Sequence, residues 1–160
     1  MNVDAEQPPD AASPALQYIL NAKPLHERLQ RILTQIAGFS LLLMMGGARP
    51  PTLDVPVALA ADELRLSREQ LRALRVPSEA SHHYYHIMQA VTAVDRGIDL
   101  VWLCLRPHQN DADRAALTRW LRIASEHLRA AGRLLPGFEM VDLRQACCAA
   151  HSEAERPLCL

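Results

Sequence analysis

Aromatic residues make up 4% of the 160-residue chain, lysine occurs once, at Lys23, and there are six glycines. A core this poor in aromatics has to be filled by Leu, Ile, Val, Met and Ala, side chains that suit helix faces better than pleated strands. No sustained alternation of apolar and polar residues competes with that reading, and the nearest candidate, residues 52–57, is broken by Pro56. No apolar run reaches the roughly 20 residues that a bilayer span requires. The strongest, residues 36–48, is interrupted by Gly38 and Ser40 and ends in Gly46-Gly47. Charge of one sign is missing too: a formal net charge of -1 removes any global pull toward nucleic acid or anionic membrane and leaves only local patches. The first residues carry neither the basic start nor the apolar stretch of a secretory signal, and Cys104, Cys147, Cys148 and Cys159 are too irregularly spaced for a disulfide framework. The expectation is a cytoplasmic protein with reduced thiols and no membrane span.

What is present is apolar periodicity. With 49% hydrophobic residues the chain supports one sizeable core, and its patterning divides it into a polar arm at 1–14, a single helical-bundle domain at 15–151 and an irregular tail at 152–160. A short helix at 15–22 is expected to stop before Pro24, which suits the first turn of a longer one carrying Leu25, Leu29, Ile32, Leu33 and Ile36 on one side. From Phe39 onward Leu41 and Leu42 put apolar residues on the far side as well. A second helical region at 57–75 is expected to break near Ser67, where Ser67 and Gln70 have capping-box spacing. The longest helix, 78–106, turns Ile87, Met88, Val91, Val94, Ile98 and Val101 inward and should be the central one, and a fourth runs from Asn110 or Asp111 to about Leu135. A shorter helix at 139–151 follows. The fold class is therefore all-α, an irregular four- to five-helix bundle, mostly antiparallel.

Three groups of residues suggest chemistry. His82 and His86 lie four apart near the start of the third helix, a spacing that lets two imidazoles share a metal, and either could ligate a haem. No second Glu-x-x-His pair accompanies Glu79 and His82, as a di-iron bundle requires, and the alternative is a polar helix start. Cys147, Cys148, His151 and Cys159 gather soft ligands near the end of the chain, with Cys147 and His151 one turn apart, against the plainer reading of small apolar thiols packing a terminal helix. Residues 60–74, with Leu64 and Leu66 flanking a turn, Ser67 capping a second helix and Leu71 and Leu74 inward, resemble a helix-turn-helix. That resemblance covers about a tenth of the chain and implies a DNA-binding transcriptional regulator in which Arg68, Gln70 and Arg72 meet phosphates or base edges.

Asp95 falls in the apolar half of the third helix near Trp102, and His127 sits on the edge of the fourth, so the three are candidates for a pocket or a buried polar pair. Arg119, Arg122, Arg129 and Arg133 line one face of the fourth helix, a solvated face or a surface for an acidic protein partner. Leu41, Leu42, Tyr85, Leu100 and Leu103 are more outward apolar surface than one bundle buries, and they point to a homodimer. No nucleophile, base and oxyanion set assembles on paper. The reading of the sequence is a non-enzymatic interaction or regulatory module with no required cofactor, with DNA binding and metal or haem binding as alternatives.

Overall fold

The computed structural model describes residues 13–45, 53–106 and 111–138. Among them are four α-helices and no strand: α1 (Pro14–Met44), α2 (Asp54–Arg72), α3 (Ser81–Cys104) and α4 (Asp111–Gly132), with a 3-10 turn at Ser78–Ala80. The fold is all-α. The segment at 139–151 expected to form a further helix, and the tail beyond it, lie outside the described residues, as does Gly46-Gly47; α2 opens at Asp54 and takes in Pro56, ahead of the expected start at 57, and ends at Arg72 rather than 75.

Helix α1 starts where its chemistry dictates. The Ser13 hydroxyl accepts from the Leu16 amide at 3.2 Å and Pro14 fills the first helical position, where its missing N–H leaves nothing unpaired. The expected break at Pro24 does not occur, and the helix runs on through 31 residues. An interior proline costs about 3 kcal/mol. Here Tyr18 and Ala22 before it and Leu25, His26 and Leu29 after it are all buried, so a break would lift one side or the other off the core.

The expected break in α2 is also absent. Ser67 is fully buried and its hydroxyl donates to the Glu63 carbonyl at 2.7 Å, the backward bond of a mid-helix serine rather than an N-cap. The spacing to Gln70 is incidental, since Gln70 Oε1 accepts from Arg28 Nη1 of α1 at 2.9 Å. A helix-turn-helix needs a turn at this point, and one unbroken helix replaces it. Helix α3 opens after a separate 3-10 turn rather than at Ser78, and α4 stops at Gly132, short of Leu135, with the chain reversing through Gly137 at φ 84°.

Helices α1 and α3 each touch the three others, while α2 and α4 flank them without touching each other. Tyr18 meets His83, and Ile36 lies against Gly97, so α1 and α3 run parallel; His86 meets His127 and Gly97 lies against Leu117, so α4 runs antiparallel to α3. A Cβ at Gly97 would stand 3.4 Å from Leu121 Cδ2 and 3.8 Å from Ile36 Cγ2, so α1, α3 and α4 meet at this glycine. The interior falls into two parts. A main cluster draws on all four helices, including Leu29, Ile32, Ile36, Leu64, Ile87, Val94 and Leu128, with Trp102 and Trp120 half-buried against it. A smaller one, Tyr18, Ala22, Ala80 and Phe138, closes one end. Among the described residues, no helix is long and apolar enough to cross a membrane.

Candidate functional site

The residues singled out for DNA do not form a reading surface. Arg68 Nη2 lies 2.8 Å from Asp95 Oδ2, tying α2 to α3, and Gln70 is held by Arg28; Arg72 alone of the three is exposed and outside any such pair in α2. The same ion pair removes Asp95 from the expected association with His127 and Trp102. Its carboxylate is half-exposed beside Arg68, His127 bonds elsewhere, and Trp102 lies four turns beyond the His127 contact, roughly 24 Å along α3 at 1.5 Å per residue. Asp95 has found its donor at the rim, so no buried proton-transfer pair exists here.

The histidines are rearranged relative to the sequence pattern. His82 is exposed, and His86 turns to α4, where its Nδ1 lies 2.9 Å from Nδ1 of His127, one ring donating and the other accepting. Tyr85 packs edge-on against both rings, at 5.3 and 6.5 Å between centroids. Burial, then the neighbouring His127 and His82, depress the His86 pKa. Among the described residues no group of three or more His, Cys, Asp or Glu side chains is arranged to hold a metal, so the His82 and His86 spacing carries no ligand set. Deeper in, a pair that the i, i+4 pattern does not reveal is formed by His26 of α1 and His83 of α3, 2% and 1% exposed. Their rings stack at 6.0 Å, and both pack against Phe138. His26 was visible as a polar residue within the inward stripe of α1, between Ala22 and Leu29.

The outward apolar surface is also redistributed. Leu100 is half-buried against the main core, which removes it from the expected interface. Tyr85 and Leu103 are exposed but stand 18 residues apart on α3, with Thr92, Arg96 and Asp99 exposed between them, so they make no continuous patch. Leu41 and Leu42 remain outward, 63% and 47% exposed, and Met45 follows at 81%. With Gly38 they fall at i, i+3, i+4 and i+7, on the side of α1 opposite its buried stripe, and a Cβ at Gly38 would meet nothing within 4 Å.

Helix α2 adds a second such stripe. At about 100° per residue, Val55, Leu59 and Leu66 lie within about 40° of one another, across the helix from Val57, Ala60, Leu64 and Leu71, which are buried. They are 67%, 63% and 46% exposed. The signal in the sequence is an uninterrupted 3.6-residue period from residue 54 to 72, which a helix end at Ser67 masks. On α4, Arg119, Arg122 and Arg129 are exposed on one face as expected, with Arg133 exposed just beyond the helix and Arg122 Nε 3.7 Å from Glu126. Cys104 is buried, and burial raises its thiol pKa, while Cys147, Cys148, His151 and Cys159 lie outside the described residues.

No protein family, no curated protein and no solved structure matches the chain.

Proposed function

We propose that the chain is a self-associating helical interaction module, pairing with a second copy of itself through the outer faces of α2 and of the C-terminal half of α1. One observation carries the reading: both helices present an apolar stripe diametrically opposite the stripe they already bury. An exposed apolar stripe opposite a buried one is surface that covering by a partner removes from water.

A second copy suits these faces better than a charged partner. Asp62 stands on this face between Leu59 and Leu66, with Arg65 beside it and within 3.8 Å, so the face holds both signs. A two-fold axis across α2 that sets each Asp62 beside the other copy's Arg65 pairs opposite charges within the contact. Gly38 gives the partner's side chains room to approach the α1 backbone.

Sedimentation equilibrium at micromolar concentration tests the pairing. The unaltered chain sediments as a dimer, and Leu59→Glu, at a position exposed in the monomer, weakens the dimer roughly tenfold or more while helix content stays unchanged. Tyr85→Ala, off both stripes, leaves the dimer intact. A chain that remains monomeric at tens of micromolar, or a Leu59→Glu dimer as tight as the original, overturns the assignment.

A further inference from the structure

We propose that His26 and His83, clamped between Tyr18 and Phe138, form an acid-operated latch whose protonation frees residues 134–138 and the first turns of α1 from the end of the bundle. The inference stands apart from the pairing faces of α1 and α2.

The geometry makes this pair intolerant of added protons. The rings are stacked at 6.0 Å with planes 21° apart, so two imidazolium charges would face each other in a dry interior. Each neutral ring uses one nitrogen: His83 Nδ1 bonds the Tyr18 hydroxyl at 2.8 Å, and His26 Nε2 lies 2.9 Å from the Gln30 amide nitrogen, which donates to it. The other nitrogens, His26 Nδ1 and His83 Nε2, are buried with no hydrogen-bond partner among the described residues. A protonated ring carries N–H on both sides. For His26 that converts the acceptor facing Gln30 into a donor, and for His83 it fixes a donor at Nε2 with nothing to receive it.

The surroundings do little to offset this. On α1, Lys23 and Glu27 are exposed, and Glu27 alone favours a charged His26; on α3, Tyr84 is half-buried and His86 disfavours a charged His83. Glu79 of the 3-10 turn, Arg75 beyond α2 and Arg133 beyond α4 are all exposed, and residues 134–138 themselves carry no ionisable side chain. Burial first, then in His83 the two neighbouring histidines, pushes both pKa values down from 6.5 to about 4. The folded pKa lies below the unfolded one, so the latch is fully closed above pH 6.5 and loses its hold as pH falls toward 4.

Opening stays local because the parts that move belong to the smaller cluster. Phe138 sits 4.4 Å from the His83 ring and 5.3 Å from His26, and it shares that cluster with Tyr18, Ala22 and Ala80 rather than the main core. The tryptophans pack on the main core. They report on it independently.

A proton NMR titration from pH 7.5 to 3.5 follows both regions at once. The Phe138 ring resonances move to free-chain positions with a midpoint between pH 6.5 and 4, while the indole signals of Trp102 and Trp120 persist. Phe138→Ala uncovers the histidines and shifts their titration up toward 6.5, and the double variant His26→Gln, His83→Gln keeps Phe138 packed at pH 4. Phe138 still packed at pH 4 in the unaltered chain overturns the latch. Indole signals lost at the same pH overturn it equally, as does an unchanged histidine titration in Phe138→Ala.

Discussion

Ile36→Ala lowers the unfolding free energy by about 3–4 kcal/mol in urea denaturation, and Ile36→Val by about 1 kcal/mol. Ile36 is fully buried in the main cluster, and its Cγ2 faces Gly97 at the point where α1, α3 and α4 meet. Removing three carbons there leaves a hole bounded by three helices that are already in contact, so none can move in to fill it without opening another gap. A loss under 1 kcal/mol for the alanine variant would mean that this crossing is loosely packed, and the bundle geometry drawn from Gly97 would fail with it.

Tyr18→Ala has a comparable effect at the other cluster, about 3–5 kcal/mol, because it removes a ring that is 2% exposed together with the partner of His83 Nδ1. Tyr18→Phe separates the two contributions. It keeps the ring and deletes only the hydroxyl, leaving a buried imidazole nitrogen unsatisfied, which costs about 1–3 kcal/mol. Burial, with Tyr84 nearby, raises the Tyr18 pKa well above its ordinary value, so the phenol stays neutral and the difference between the variants does not vary with pH through phenol ionisation. Equal stability of Tyr18→Phe and the unaltered chain would show that the 2.8 Å bond contributes nothing.

The fold class was legible because periodicity survives in each helix: Leu25, Leu29, Ile32 and Ile36, or Leu117, Ala124, Leu128 and Ala131, name the buried faces without help from tertiary contacts. The breaks were misplaced where a local rule met a tertiary one. Pro24 and Ser67 both carry signals for helix ends, and both lie inside helices with buried side chains in the turns on either side, Ala22 and Leu25 in one and Leu64 and Leu71 in the other. A break at Ser67 suggests a helix-turn-helix and hides the register linking Val55, Leu59 and Leu66. Pairings across helices were beyond the reach of pattern alone: Arg68 with Asp95, His86 with His127 and His26 with His83 each depend on how two helices are set against one another. The polar residues on inward stripes, His26 and His83, were the available hint that something other than apolar packing occupies that end of the bundle.

Hydroxyl-radical footprinting of the unaltered chain against Leu59→Glu tests the pairing faces most directly, since it reads which side chains a partner covers. Met45, Leu41 and Leu66 should be oxidised several-fold less in the unaltered chain than in the variant, with Tyr85 and Leu134, exposed and off both stripes, oxidised equally in the two. Equal oxidation of Met45 and Leu66 in both, or protection that falls on Tyr85 instead, would contradict self-association through α1 and α2.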